Sequence, residues 1–254
     1  MSQSLGWIRQ FHKPERPDSP PLLVFPHAGA GASAYRALSK ALSSNFDVIV
    51  FQYPGRQDRA SEPALTTLQD IAAGAFDEFQ ISPRNRNVPI YTFGHSMGAI
   101  VSFEFVRLAE AAGVDVRQLT VSAAVAPSRA SNKPGFPEDD EELLQHLAAL
   151  EGTSSDIFTN RDMLKLTLPV VKSDHRASET YSCDPGVKVA ARVHVIGGDN
   201  DPIVNMRDLY DWDKHADDLQ VTLFEGGHFF INSHLAAVTE LVTAGASRQP
   251  RVHE

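Results

Sequence analysis

The sequence predicts an α/β fold in which helices cover both faces of a doubly wound, mostly parallel sheet. Short, continuously apolar runs alternate along the chain with segments of helical character. Runs that are apolar throughout, rather than at every second residue, are typical of strands covered on both faces of a parallel sheet. In a doubly wound sheet the functional loops follow the carboxyl ends of the strands, so we expect the site residues in those loops.

The predicted strands and helices extend over most of the 254 residues. The predicted strands are Leu22–Phe25, Asp47–Phe51, Ile90–Phe93, Leu119–Ala126, Ala190–Ile196 and Gln220–Phe224. The predicted helices are Ser33–Leu42, Thr67–Phe79, Ala99–Ala112, Met206–Ala216 and Asn232–Thr243. An α/β chain of this length can form one sizeable core, so we expect a single domain over residues 1–254.

The alternation is interrupted over residues 127–186. This interval opens with "PSRASNKPGFPEDD", which is rich in turn-forming residues, and continues with the helix-like segments Glu141–Leu150 and Asp162–Tyr181. A long insertion between sheet elements is typical of an active-site lid. We therefore expect a helical lid here, the alternative being a helical pair without a functional role.

Composition excludes several classes of partner. The net charge is −9 and the pI is near 5.5, which argues against nucleic acid or an anionic membrane as the main partner. Cys183 is the single cysteine, so no intramolecular disulfide is possible and a reducing compartment fits. The N-terminal residues lack the apolar segment of a signal peptide, and no apolar run approaches the ~18 residues of a membrane span. We expect a cytoplasmic protein, with a monomer as the default.

The first predicted strand leads into "FPHAGAGAS", which allows two interpretations. The spacing Gly29-x-Gly31-x-x-Ala34 fits a dinucleotide-binding loop, but a loop in this place can also offer backbone N–H groups to an oxyanion. A dinucleotide site needs an Asp or Glu near the end of the second strand, where this sequence has Gln52-Tyr53-Pro54-Gly55. The sequence therefore favours an oxyanion loop and predicts no cofactor.

The segment Gly94-His95-Ser96-Met97-Gly98 is a G-x-S-x-G motif between a predicted strand and a predicted helix. In α/β hydrolases this motif holds the nucleophilic serine at a sharp strand-to-helix turn, where only glycine fits two positions away on either side. The amino end of the helix also directs N–H groups at the substrate. We therefore predict that Ser96 is a nucleophile, the alternative being a plain helix N-cap.

A serine nucleophile needs a histidine base that is oriented by an acid, and in α/β hydrolases the chain order is Ser, Asp or Glu, His. Of the histidines after Ser96, His228 in "FEGGHFF" follows a strand and opens a loop, whereas the others fall in predicted helices, a strand or the C-terminal tail. The loop after the preceding strand offers Asp199 and Asp201. Pro202 restricts the backbone of Asp201, which favours Asp201, but Asp199 remains an alternative.

Six motifs now resemble type II thioesterases, the discrete editing enzymes that accompany nonribosomal peptide and polyketide synthases. The motifs occur in the family's order over about residues 21–245: "FPHAGAG", "QYPGRQDR", "GHSMGA", "LP" with "SDHRASETY", "GGDNDP" and "EGGHFF". The resemblance implies an α/β-hydrolase fold with a helical lid. It implies hydrolysis of acyl thioesters from the phosphopantetheine arm of carrier domains through a Ser-His-Asp acyl-enzyme mechanism.

The resemblance also implies roles for individual residues. The family's acid lies in Gly-x-x-Asp-Pro, which here corresponds to Asp201, and its oxyanion hole corresponds to the backbone N–H groups of Ala28 and Met97. One departure is visible, because Ala30 replaces the second glycine of the family's His-Ala-Gly-Gly loop. A general carboxylesterase or lipase acting on oxygen esters and a non-catalytic scaffold with a hydrolase fold remain alternatives.

Other polar residues near the predicted site have simpler explanations. We expect His27 and His95 to orient loop backbone through hydrogen bonds, and the histidines lack the helical spacing of a metal site. Carrier domains are acidic, so an acidic hydrolase needs a local basic patch to meet one. The candidates for that patch are Arg56, Arg59, Lys172 and Arg176, although these could equally be ordinary solvated charges.

Overall fold

The computed structural model of the chain describes residues 6–132, 135–151 and 161–247. Within them, seven strands form one sheet: β1 (Ile8–Arg9), β2 (Pro21–Phe25), β3 (Asp47–Phe51), β4 (Ile90–His95), β5 (Val116–Ser122), β6 (Arg192–Gly198) and β7 (Leu219–Phe224). The strand order is β1-β3-β2-β4-β5-β6-β7, with β1 antiparallel to β3 and every other pair parallel. The predicted mostly parallel sheet is confirmed.

Helices connect the strands. They are α1 (Arg36–Leu42), α2 (Leu68–Ile81), α3 (Met97–Ala111), α4 (Asp140–Glu151), α5 (Arg161–Glu179), α6 (Met206–Tyr210), α7 (Phe230–Ser233) and α8 (Leu235–Ser247). Two 3₁₀ turns extend this set, Ala32–Tyr35 before α1 and Asp211–Lys214 after α6. None of the described helices is both long enough and apolar enough to span a membrane.

The central strands are buried because helices cover both faces of the sheet. All five residues of β2 are buried, and their side chains divide between two apolar cores. Leu23 packs in the core that contains α2 and α3, whereas Leu22 and Val24 pack in the core that contains α1 and α8. This division explains why the strand sequence is continuously apolar and confirms the doubly wound arrangement.

Two differences from the predicted strands have local causes. The strand Ile8–Arg9 was not predicted, because a two-residue antiparallel edge pair is too short to show a periodic pattern. The predicted strand Leu119–Ala126 instead ends at Ser122. Ala123 has a φ of 50°, in the left-handed region, so the apolar run continues but the extended backbone does not.

The segment between β5 and β6, residues 127–186, contains the predicted helices and is called the helical insertion below. Its described residues include a 3₁₀ turn at Pro127–Asn132, followed by α4 and α5. The Asp139 Oδ1 accepts the N–H groups of Glu141 and Glu142 and thereby caps the start of α4. Leu143 of α4 and Leu168 and Val171 of α5 form a separate small apolar cluster. This cluster packs the two helices together above the carboxyl ends of the strands.

Candidate active site

Ser96 lies at the sharp turn between β4 and α3. Its backbone has φ 54° and ψ −123°, a conformation that residues other than glycine rarely adopt. A Cβ atom on Gly94 would overlap the Gly98 carbonyl oxygen, and one on Gly98 would overlap the Phe25 carbonyl oxygen. The two glycines therefore let α3 approach both β4 and β2, and the strained turn presents the Ser96 hydroxyl at the end of the sheet.

The side chains of Ser96, His228 and Asp201 form a continuous hydrogen-bonded chain. The Ser96 Oγ lies 2.9 Å from His228 Nε2, and His228 Nδ1 lies 2.8 Å from Asp201 Oδ2. The side chains of His228 and Asp201 are only 3% and 1% exposed. A carboxylate facing Nδ1 places the imidazole proton on Nδ1 and leaves Nε2 free to accept the serine proton. The loops after β4, β6 and β7 thus bring the three predicted residues together.

The two candidate acids have different contacts. The Asp201 Oδ1 accepts the N–H groups of Ile203 at 2.8 Å and Val204 at 3.1 Å, which leaves Oδ2 to His228. Asp199 is exposed, and its Oδ1 instead accepts the Gly226 N–H at 2.9 Å. The structure therefore places Asp201 against the imidazole and uses Asp199 to tie the β6 loop to the β7 loop.

The loop after β2 forms a tight turn over residues 27–30. The Ala30 N–H donates to the His27 carbonyl oxygen over 3.1 Å, and Gly29 has a φ of +74° at the third position, as in a type II turn. Ala28 and Met97 line the same cavity as Ser96. Among the residues that the structure describes, neither the Ala28 N–H nor the Met97 N–H has a hydrogen-bond acceptor. Both donors are therefore available to a bound ligand.

Two further histidines lie near His228: the His95 ring centroid is 5.3 Å from that of His228, and the His27 ring packs edge-on against His95 at 5.7 Å. His27 Nδ1 lies 2.8 Å from the Tyr35 hydroxyl, and burial, together with nearby charges, lowers the pKa of His27 to about 3. His95 Nδ1 lies 2.9 Å from the Ser122 hydroxyl, and burial lowers the His95 pKa well below its usual value. Both rings are neutral at pH 7 as a result. The expectation that these rings bond loop backbone is wrong, since each bonds a side-chain hydroxyl.

A cavity of about 340 Å³ opens at the Ser96 hydroxyl. Its walls join the site residues to apolar side chains of α3 and of the helical insertion, including Ile100, Phe136, Leu147 and Leu150. The α5 helix adds the polar side chains His175, Ser178 and Glu179. Across residues 6–132, 135–151 and 161–247, no group of three or more His, Cys, Asp or Glu side chains is arranged to hold a metal ion.

The predicted basic patch is wrong for two of its four members. The Arg56 guanidinium is buried and makes a bidentate ion pair with Asp174, at 2.7 and 2.9 Å. Arg59 is also buried, with Nη1 donating to the Gln52 carbonyl oxygen at 2.8 Å and Nε donating to Glu62 at 2.8 Å. Internal partners therefore occupy both guanidinium groups, and neither can meet an acidic surface.

The other two members of the predicted patch lie on α5. The Lys172 Nζ lies 2.6 Å from Asp140 Oδ1, so its charge is largely neutralised within the helical insertion. Arg176 is exposed. The four cations consequently do not form one solvent-facing patch.

The sequence did not assign a role to two side chains that hold the loop after β2. The Tyr35 hydroxyl accepts the His27 N–H at 3.2 Å, and the Asp174 Oδ2 accepts the Gly29 N–H at 2.7 Å. Asp174 lies in the motif "SDHRASETY", so the resemblance contained a signal for this residue although it gave no partner. Tyr35 had no such signal, because an aromatic residue in a helix-like segment is an ordinary core residue.

Comparisons with known proteins identify the family of this chain. A family model described as "Thioesterase domain" matches residues 20–245. The chain belongs to the thioesterase family. It is 36% identical to the type II thioesterase BorB from the borrelidin biosynthetic cluster, whose structure superposes with a TM-score of 0.85 over 94% of this chain and 97% of BorB. The α/β-hydrolase fold and the predicted resemblance to type II thioesterases are confirmed.

Curated relatives of this thioesterase include both short and long proteins. The chain is 39% identical over 240 residues to phenyloxazoline synthase MbtB of Mycobacterium tuberculosis, but it spans only 17% of that protein. It is 34% identical to thioesterase PikA5 of Streptomyces venezuelae, covering 94% of this chain and 87% of PikA5. The match to PikA5 extends over most of both chains, whereas the match to MbtB is to one part of a much longer protein.

Proposed function

We propose that this chain hydrolyses acyl groups from the phosphopantetheine arm of carrier domains in nonribosomal peptide or polyketide synthesis, and thereby regenerates misprimed carriers. The observation that carries the proposal is the Ser96–His228–Asp201 hydrogen-bonded chain at the mouth of an apolar cavity. Membership of the thioesterase family and similarity to BorB support the choice of a thioester substrate.

In the first half of the proposed reaction, Ser96 becomes acylated. His228 Nε2 removes the hydroxyl proton as Ser96 Oγ attacks the thioester carbonyl carbon, and Asp201 stabilises the resulting imidazolium. The oxyanion of the tetrahedral intermediate accepts hydrogen bonds from the N–H groups of Ala28 and Met97, and one such donor contributes roughly 3–4 kcal/mol of barrier lowering in comparable sites. The C–S bond then breaks, and the phosphopantetheine thiol leaves with the proton that His228 holds.

In the second half, water releases the acyl group. Neutral His228 takes a proton from water, and the hydroxide equivalent attacks the acyl-Ser96 carbonyl carbon in the same oxyanion geometry. Collapse of this intermediate breaks the C–O bond to Ser96 Oγ, which recovers its proton from His228. The products are a carboxylic acid and a carrier with a free thiol. A thiol has a pKa near ~8.5, so its departure in the first half needs little protonation, and we expect deacylation to be the slower half.

The helical insertion has the position of a lid over this reaction. It contributes Phe136, Leu147 and Leu150 to the acyl cavity, so it can select the acyl group and must admit the phosphopantetheine arm. The cavity volume of about 340 Å³ is at the lower end of the ~300–1,000 Å³ found for ligand pockets. We therefore propose that short acyl groups are preferred over long ones.

Mass spectrometry of acyl-loaded carrier proteins, before and after incubation with the protein, tests the proposal. We expect loss of the acyl mass with the wild type, and neither turnover nor acyl-enzyme with Ser96→Ala. Ser102→Ala is the matched control, because Ser102 is a buried serine on the same helix whose hydroxyl has no partner among the described residues. Faster hydrolysis of a matched oxygen ester would favour a carboxylesterase instead. No turnover, together with no labelling by a fluorophosphonate probe, would favour a non-catalytic scaffold.

A further inference from the structure

A buried carboxylate of the helical insertion contacts the oxyanion loop directly. The Asp174 side chain on α5 is fully buried, and its Oδ2 accepts both the Gly29 N–H at 2.7 Å and Arg56 Nη1 at 2.7 Å. Its Oδ1 accepts Arg56 Nη2 at 2.9 Å. One carboxylate therefore joins three separate parts of the chain: α5, the loop after β2 and the loop after β3.

The Asp174 contact fixes the peptide next to the proposed oxyanion donor. Three successive backbone N–H groups of the loop differ in their hydrogen bonds. The His27 N–H donates to the Tyr35 hydroxyl and the Gly29 N–H donates to Asp174. The Ala28 N–H between them has no acceptor within the described residues. Because the residues on both sides are anchored, the direction of the Ala28 N–H is set by its neighbours. A backbone donor that is held in place before the reaction stabilises an oxyanion without a reorganisation cost.

Packing of α5 reinforces the same contact. The Val171 side chain, one turn before Asp174, lies where a Cβ on Gly29 would be. The φ of +74° at Gly29 belongs to the turn that presents the Ala28 N–H, so α5 packs on the residue that defines this turn. Displacement of α5 would remove both the acceptor and the packing from Gly29.

Arg56 is in turn held by the loop after β3. Its guanidinium lies 5.1 Å from the centroid of the Tyr53 ring, and its Nε donates to the Pro54 carbonyl oxygen at 3.3 Å. A buried ion pair is weak support for stability, because desolvation of the two charges offsets much of their attraction. A charged pair in this place is better explained by the geometry that it imposes, since a bidentate arginine fixes the orientation of the carboxylate plane.

We propose that Asp174 is a positioning residue for catalysis, through which docking of α5 holds the Ala28 N–H in the oxyanion hole. The inference rests on the proposed function, because it assigns Ala28 to the oxyanion hole of that reaction. The role is positional, since Asp174 contacts the loop and does not line the cavity at Ser96. The oxyanion hole is therefore complete only while the helical insertion is seated on the loop.

Two variants separate positioning from stability. The double variant Arg56→Met/Asp174→Leu removes both buried charges together, so no uncompensated charge remains, but it also removes the acceptor of the Gly29 N–H. Arg56→Met/Asp174→Asn, called the Asn variant below, also removes both charges but keeps an acceptor oxygen for the Gly29 N–H. Asp140→Asn is the matched control, because it breaks the exposed Lys172–Asp140 ion pair of the same insertion.

The assay follows hydrolysis of a short acyl thioester of N-acetylcysteamine and the rate of fluorophosphonate labelling of Ser96. An oxyanion donor acts in the transition state, so we expect the folded Arg56→Met/Asp174→Leu variant to lose about 30- to 300-fold in kcat with little change in KM. The Asn variant should lose less, because it keeps an acceptor for the Gly29 N–H, and Asp140→Asn should keep wild-type values. Labelling should slow in parallel, because attack on phosphorus also places negative charge in the oxyanion hole.

Several results would overturn the inference. A folded Arg56→Met/Asp174→Leu variant with wild-type kcat, or one whose KM rises while kcat is unchanged, would show that Asp174 does not position the donor. If Arg56→Met/Asp174→Leu does not fold, Arg56→Met/Asp174→Ala, which also lacks the acceptor of the Gly29 N–H, takes its place, and wild-type kcat and labelling in that variant would contradict the role. A wild-type protein that labels with the fluorophosphonate but leaves the thioester intact contradicts the thioesterase proposal instead. The labelling rates of the variants then still test Asp174.

Discussion

Replacing Asp201 with asparagine exchanges a single atom of the side chain and tests how the His228 ring is held. The Asp201 Oδ1 accepts two backbone N–H groups, from Ile203 and Val204, while Oδ2 faces His228 Nδ1 at 2.8 Å. Asparagine has one acceptor oxygen and one NH₂ donor in these two places. The oxygen should occupy the Oδ1 position, because the opposite orientation would point the NH₂ group at two N–H donors in a buried site.

This orientation of the amide reverses the roles of the imidazole nitrogens. The NH₂ group donates to His228 Nδ1, so the ring proton moves to Nε2, the atom that lies 2.9 Å from Ser96 Oγ. An Nε2 that already carries a proton cannot accept the one from Ser96. Forcing the wrong tautomer in serine hydrolases lowers kcat by about 10⁴-fold, which corresponds to about 5.4 kcal/mol at 1.36 kcal/mol per factor of ten.

The measurement is kcat and kcat/KM for thiol release from a soluble acyl thioester at pH 7, with urea unfolding to check the fold. Asp199→Asn is the matched control. Asp199 is exposed and bonds the Gly226 N–H, which an asparagine oxygen can also accept, so a change within about threefold is expected. A folded Asp201→Asn variant that keeps wild-type kcat would refute the tautomer argument. So would a larger loss in Asp199→Asn than in Asp201→Asn.

Three further predictions concern the loop, the cavity and pH. Ala28→Pro removes one proposed oxyanion N–H at a turn position that favours proline, so we expect a folded protein with kcat lowered about 10²- to 10³-fold; wild-type turnover would exclude this donor. Leu147→Trp fills part of the cavity, so kcat/KM should fall more for a hexanoyl than for an acetyl thioester, and an equal loss for both would contradict the assignment of the acyl pocket. Burial, with a smaller contribution from His146, lowers the pKa of His175 to about 4. Unfolded His175 therefore binds a proton below pH 6.5 that the folded state excludes until about pH 4, and stability is lost as the pH falls through this window. His175→Phe keeps a ring to stack on Phe136. Between pH 7 and 5, its free energy of unfolding, measured with urea, should fall by about 2 kcal/mol less than that of the wild type. Equal decreases in the two proteins would contradict burial of a neutral His175.

The sequence predicts those parts of the site that depend on a few consecutive residues. The bounds of β3 follow from an apolar run, and the turn at Ser96 follows from two glycines close to it in the chain. Each of these signals lies within a few residues of the feature that it predicts. The choice between Asp199 and Asp201 as the acid depends on contacts with residues that are distant in the chain. Pro202 favours Asp201 in the sequence, but only the folded loops reveal that Asp199 bonds the backbone of the β7 loop.

The environment of the arginines could not be predicted in the same way. Arg56 and Arg59 lie in a polar loop, where an arginine is ordinarily solvated, and nothing in the neighbouring residues indicates burial. Burial of Arg56 depends on Asp174, which is 118 positions away in the chain. Such a pair exists only once the helical insertion has packed on the sheet, so local patterns carry no information about it.

The distribution of these contacts has a consequence for the helical insertion. Ser96, His228 and Asp201 depend on strand ends and on their own loops, whereas the Gly29 N–H beside the proposed oxyanion donor depends on Asp174 in α5. The insertion therefore contributes part of the wall of the cavity beside Ser96 and also, by our inference, the support of the proposed oxyanion loop. A protein whose insertion is exchanged to alter acyl preference should then lose turnover for every substrate unless the new insertion keeps an acid at position 174, because the cavity wall and the loop contact belong to the same insertion.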